Sequence, residues 1–112
     1  MIKGDNIICA GYVLYGPVTE FVITYGTNNG VHKFTLNRKL EEYVYTGAIT
    51  IPANGKKIYS INESNFENWF DDMKQYILQY KVKNTKYTQR YIGSMVSDIH
   101  RTLLYGGMFC YP

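Results

Sequence analysis

Two cysteines in 112 residues are too few for a disulfide framework, and neither sits in a His-Cys cluster of the kind that holds zinc. Cys9 and Cys110 lie near opposite ends, which fits free thiols in a reducing compartment and leaves one disulfide open if the termini meet. No apolar run approaches the roughly 18 residues needed to cross a bilayer, and no charged-then-apolar leader precedes a small-residue cleavage site. The expectation is a soluble, cytoplasmic protein with no membrane partner. Charge of one sign is missing too: twelve basic and nine acidic residues give a net charge of +3. The compact basic groups are short, such as KVKNTK at 81–86, and that field is too weak to argue for nucleic acid. Catalytic signatures are also lacking, with no HExxH, no Walker loop and no Ser-His-Asp order around a nucleophile elbow.

What is present is the composition of a soluble globular chain, 46% hydrophobic and 19% charged. The length predicts one small domain with a modest core. Twelve tyrosines are its oddity. Each joins an apolar ring to a hydroxyl that needs a partner when buried, which suits sheet surfaces, interfaces and polar pockets without choosing among them.

The first half reads as a sheet. FVITYGTNNGVHKFTLN (21–37) is two β-rich runs around a turn cluster in which Asn29 and Gly30 tolerate positive φ, a β-hairpin pattern. NIICAGYVLYG (6–16) and EYVYTGAITIP (42–52) are further strands. After KIYSIN the period changes: Phe66, Trp69, Phe70, Met73, Ile77 and Tyr80 fall on one helical face, and Ser64 with Glu67 fits a capping box. Asp71 and Asp72 on that helix point about 100° apart and read as solvated rather than metal-binding.

The stretch RYIGSMVSDIHRTLLYGG (90–107) predicts a short strand, a Gly93-Ser94 turn, a helix with an apolar edge of Met95, Ile99 and Leu103, and a Gly106-Gly107 stop. MFCYP follows as a last strand, so the unit is a crossover of the kind that joins parallel strands. Its helix N-terminus offers unpaired amides and a partial positive charge, Gly93 permits close approach, and Arg90 and Tyr91 add a guanidinium and a hydroxyl. Those groups suit a phosphate, although a capped core helix uses the same residues. His100, beside Asp98, Arg101 and Ser97, reads as a structural or surface histidine, as does His32.

Four strings, GYVLYGPVT (11–19), GVHKFTLN (30–37), KKIYSINESN (56–65) and RYIGSMVSDIHRTLLYGGMFCYP (90–112), resemble in order and separation the class I fructose-1,6-bisphosphatases. The resemblance implies a mixed α+β sugar-phosphatase fold with layered αβαβα architecture. Residues 1–52 would be the end of the N-terminal, allosteric domain and 53–112 the start of the C-terminal, catalytic one. It also implies an internal segment of a longer enzyme, since the family's acidic Asp-Pro-Leu-Asp-Gly-Ser-Ser metal motif is not in these strings.

By the resemblance, Asn62, Tyr91 and Tyr111 bind the substrate 6-phosphate, Arg90 reaches a neighbouring subunit's site, and Gly93, Ser94 and Met95 meet the sugar hydroxyls. Asn65 stands where animal enzymes carry a tyrosine of the same cluster, as in plant-like members. Ile8 and Tyr25 fall where the family lines its AMP site, whose phosphate-binding part lies upstream. The implied reaction is hydrolysis of the 1-phosphate of fructose 1,6-bisphosphate in gluconeogenesis by a Mg²⁺-dependent homotetramer. No catalytic or metal-binding residue falls in this chain, so the alternative is an inactive segment that at most binds sugar phosphates.

Overall fold

A computed structural model describes residues 3–26, 28–82 and 86–112. Thr27 of the hairpin loop and part of the polar connection at 83–89 lie outside the described residues. The fold is mixed α+β, and where length alone predicts one domain, the chain divides into two compact units, 1–50 and 51–112. Each sheet belongs wholly to one unit. Among the described residues no helix is long and apolar enough to cross a membrane.

The first unit is a four-stranded antiparallel meander: β1 (Cys9–Leu14), β2 (Glu20–Tyr25), β3 (Val31–Asn37) and β4 (Glu42–Ile49), in that spatial order. The hairpin at 21–37 is as read, with Glu20 opposite Thr35 and Thr24 opposite Val31. Gly30 takes the positive φ of +71°. Asn29 does not; its Nδ2 instead donates to the Tyr25 carbonyl at 2.7 Å, a side-chain tie across the loop. Val22 and Ile49 are the buried apolar residues of this unit. Phe21 packs on Phe34 and Tyr43, and Lys33 donates to Glu20 at 2.8 Å.

The second unit builds a three-stranded parallel sheet in the order β6 (Thr88–Gln89), β5 (Ile58–Ser60), β7 (Met108–Phe109). Its two helices are α1 (Asp71–Val82) and α2 (Met95–Tyr105). The core is Tyr59, Ile61, Trp69 and Ile77, with Phe66, Met73, Tyr80, Tyr87, Met108 and Cys110 packed against it. Tyrosine serves here as predicted for a residue with a polar end: buried Tyr59 donates to Glu63, and Tyr80 stacks edge-on with Tyr76 and Tyr87. Cys9 and Cys110 are free thiols, and burial pushes the Cys110 thiol up.

Three local expectations are corrected. The segment after β5 is not one helix capped at Ser64 but a 3₁₀ helix, Glu63–Asn68, capped by Asn62, followed by α1. Trp69 between them is extended, at φ −77° and ψ 153°, and this resets the helical phase, so that Trp69 is buried while Phe70 is 87% exposed. The strand expected at Arg90–Ile92 sits two residues earlier, at Thr88–Gln89. Met95 does not anchor α2, being 46% exposed; the fully buried side chain of that helix is Asp98, joined by His100 at 8%.

Candidate functional site

Parallel strands bring their carboxyl ends to one edge of a sheet, and ligands of open α/β sheets bind beyond that edge. β5, β6 and β7 all run in parallel, and the residues leaving their carboxyl ends are the ones the sequence singles out. Ser60 of β5 pairs with Phe109 of β7, so Asn62 and Tyr111 each follow that rung by two residues. Arg90 and Tyr91 follow Gln89, the last residue of β6. Asn62 and Tyr91 are half-buried, while Arg90, Asn65 and Tyr111 are exposed.

The turn from β6 into α2 has the expected form. Gly93 adopts φ +86°, which favours glycine, and a Cβ built there meets nothing within 4 Å, so the space over its backbone is open. Ser94 is the N-cap of α2, its Oγ accepting from the Ser97 amide at 3.4 Å and from the Ser97 hydroxyl at 3.2 Å. Ser94 and Met95 are exposed at the start of the helix, where the peptide dipoles favour an anion. The helix stops at Gly106, φ +79°, whose amide donates to Thr102.

Asn62 has a defined orientation. Its Oδ1 accepts from the Ser64 hydroxyl at 2.6 Å and the Ser64 amide at 3.3 Å, capping the 3₁₀ helix that carries Asn65. With Oδ1 used in this way, its Nδ2 hydrogens are the donor end of the side chain. The loop is held from below by Glu63, which accepts from the Tyr59 hydroxyl at 2.8 Å and from Lys81 at 2.6 Å. Burial by itself raises the Glu63 carboxyl, but the hydrogen bonds from Lys81 and Tyr59 and the Lys81 charge outweigh it and hold the pKa below 4.5. Burial and the hydrogen bond to Glu63 push Tyr59 up to about 12.

Sequence reasoning missed the polar group beneath the turn. Asp98, fully buried, accepts from Arg101 Nη2 at 2.6 Å and from the Ile92 amide at 3.1 Å. Arg101 also donates to the Arg90 carbonyl at 3.0 Å and to the Ser60 hydroxyl, which itself donates to the Arg90 carbonyl. The available signal was the i, i+3 spacing of Asp98 and Arg101 on one helix, with a serine inside the apolar run IYSI at 58–61. His100, in contrast, is the structural residue expected, 8% exposed.

In the other unit, Ile8 and Tyr25 come to one end of the β1–β2 pair, where the Gly26 amide donates to the Ile8 carbonyl at 2.9 Å. Both are exposed, and Tyr25 stacks on His32. Asp71 and Asp72 are solvated on α1, Asp71 lying 3.9 Å from Lys74. Among the described residues no three His, Cys, Asp or Glu side chains come together in a way that could hold a metal ion. The described residues therefore do not by themselves fit a magnesium site.

Residues 51–112 match the family described as fructose-1-6-bisphosphatase, C-terminal domain. The whole chain is 48% identical to a class 1 fructose-1,6-bisphosphatase of Trichormus variabilis, covering 31% of that relative. Over 97% of its length it is 47% identical to the chloroplastic fructose-1,6-bisphosphatase of Spinacia oleracea, covering 26% of it. The crystal structure of the Leishmania major fructose-1,6-bisphosphatase in holo form superposes with a TM-score of 0.85 at 49% identity, over 100% of this chain and 34% of that one. The chain thus spans about a third or less of the length of these relatives.

Proposed function

Since the chain belongs to the fructose-1,6-bisphosphatase family, we propose that it supplies the sugar-phosphate-binding half of a fructose 1,6-bisphosphate hydrolase. The observation that carries this reading is that Asn62, Tyr91 and Tyr111 each follow by two residues the carboxyl end of one of three parallel strands. The Nδ2 donors of Asn62 and the two phenol hydroxyls are neutral hydrogen-bond donors suited to the phosphate that is not cleaved, with Asn65 beside them. Gly93, Ser94 and Met95 present the backbone at the start of α2 to the sugar hydroxyls. Arg90, exposed at the rim, supplies a guanidinium fork to a neighbouring subunit of a homotetramer.

A remote phosphate held in this way aligns the phosphate that reacts, because binding energy at the far end restrains the near end. These residues hold and orient the substrate, and no group of three metal-binding side chains occurs among those described. Residues 53–112 then correspond to the start of the catalytic domain and 1–52 to the end of the allosteric one, with Ile8 and Tyr25 lining part of an AMP site. Two free thiols fit a reducing compartment such as the cytoplasm.

The test is a titration of the 112-residue chain with fructose 6-phosphate, followed by nuclear magnetic resonance, beside a magnesium-dependent phosphate-release assay with fructose 1,6-bisphosphate. Saturable shifts at Asn62, Tyr91 and Tyr111 without phosphate release are expected. Turnover by the isolated chain, or shifts confined to other residues, would overturn the division of labour proposed.

A further inference from the structure

A tyrosine hydroxyl recognises a phosphate only if its ring is aimed, and the ring is aimed by the backbone on either side of its Cα. At Tyr91 both flanking peptide groups are tied to the same buried pair. The carbonyl before it, of Arg90, accepts from Arg101 Nη2 at 3.0 Å and from the Ser60 hydroxyl; the amide after it, of Ile92, donates to Asp98 at 3.1 Å. Asp98 and Arg101 are joined to each other at 2.6 Å, with their side chains 0% and 16% exposed. We infer that Asp98 and Arg101 form a positioning pair that fixes the backbone on both sides of Tyr91 and so sets the direction of its phenol.

The chemistry favours this role over simple stability. A fully buried carboxylate is costly unless paired, and a pair of well-packed apolar residues would stabilise the helix at least as well. What an apolar pair cannot do is grip one carbonyl and one amide at once. Arg101 Nη2 alone reaches both the Arg90 carbonyl and Asp98, and Asp98 uses its second oxygen for Ile92. Ser60 ties the same pair to β5, two residues before Asn62, so Tyr91 and Asn62 are placed relative to one another through one polar group. The pair also occupies Arg101, leaving Arg90 as the cation of this turn that is exposed to an incoming anion.

The inference rests on the phosphate-binding reading for its purpose, but its geometry can be tested without ligand. Asp98→Asn keeps the shape while placing an amide nitrogen where Arg101 or Ile92 needs an acceptor. Arg101→Lys keeps the charge but is shorter and lacks the planar guanidinium that places Nη2 against both the Arg90 carbonyl and Asp98. In the ligand-free chain both substitutions are expected to speed exchange of the Ile92 amide at least tenfold and to shift the Tyr91 ring signals. Fructose 6-phosphate affinity should fall about tenfold after correction for folded fraction. Ile77→Ala, which opens the core on α1 away from the pair, serves as the structural control and should lower the melting temperature with corrected affinity unchanged. If Ile92 exchange and the Tyr91 signals do not respond to either substitution at the pair, the inference is overturned, whatever the ligand does. If they respond but the unsubstituted chain takes up no fructose 6-phosphate, the positioning stands and the proposed function fails.

Discussion

Asn62 carries two duties on one side chain, and they can be separated by substitution. Its Oδ1 caps the 3₁₀ helix through Ser64, and its Nδ2 is the end proposed to meet a phosphate. Asn62→Asp keeps the capping oxygen and replaces the donor by a negative charge. Aspartate caps as well as asparagine, so the melting temperature should hold. A phosphate monoester carries roughly −1.5 to −2 charges at neutral pH. One unit of like charge at about 4 Å costs ~1 kcal/mol in water and ~4 kcal/mol at an effective dielectric of 20. Because Asn62 is half-buried, its repulsion lies between those limits, and nearly two charges give at least about 2 kcal/mol. The lost hydrogen bond adds about 1 kcal/mol. The sum, about 3 kcal/mol, is roughly a hundredfold weaker binding of fructose 6-phosphate. Asn62→Ala reverses the order of effects: loss of the cap costs about 1 kcal/mol, or a fall in melting temperature of about 4–8 °C, while affinity drops only about fivefold. Thermal unfolding and a fructose 6-phosphate titration on the two variants read this crossover. An aspartate variant that melts as low as the alanine variant, or that binds as tightly as the parent at neutral pH, would refute the two-duty assignment.

The Glu63 clamp predicts an acid sensitivity. Its folded pKa lies below the ordinary 4.5, so the carboxylate contributes stability above that value, and the contribution is lost as pH falls from 4.5 through the folded pKa. Glu63→Gln should therefore flatten the acid limb of a melting-temperature profile, and parallel profiles for parent and variant would contradict it. Two glycines predict unequal costs. Gly93→Ala meets open space and only a strained backbone at φ +86°, about 1–2 kcal/mol. Gly107→Ala, at φ +106°, also drives a Cβ to 2.6 Å from the Ile58 carbonyl, adding about 1–3 kcal/mol of overpacking. Equal denaturant midpoints for the two would count against the close β5 contact.

Which features were legible in the sequence follows from the range of the forces that set them. The hairpin, the four strands of the first unit, the Ser94 cap and the Gly106 stop are local: each depends on residue types within a few positions, and each was found where expected. The helix around Phe66–Tyr80 was misread because its apolar spacing continues across Trp69, where an extended residue changes the phase. Periodicity reports only which residues are apolar, and it left Phe70 on a buried face that the chain does not give it. Asp98 was hidden for the opposite reason: a charged residue on a helix is read as solvated, and its burial is compensated by Arg101, by the Ile92 amide and, from 38 positions away, by Ser60.

The same distinction explains why the candidate site was partly legible. Residue type and local turn chemistry single out Gly93, Ser94 and Arg90, but nothing local joins Asn62 to Tyr111, 49 positions apart by 111 minus 62. Each leaves its strand two residues beyond one shared rung, because β5 and β7 are parallel and in register at Ser60 and Phe109. That register depends on the crossover through α2, which packs on β7 and stops at two glycines where no side chain fits against Gly55 and Ile58. A β5–β7 slip of one residue would turn Tyr111 to the opposite side from Asn62, since successive side chains alternate across a strand. The residues proposed to bind a phosphate therefore depend for their placement on the tight glycine stop of α2 as much as on their own identities. A change there would be felt at the site without touching any residue in it.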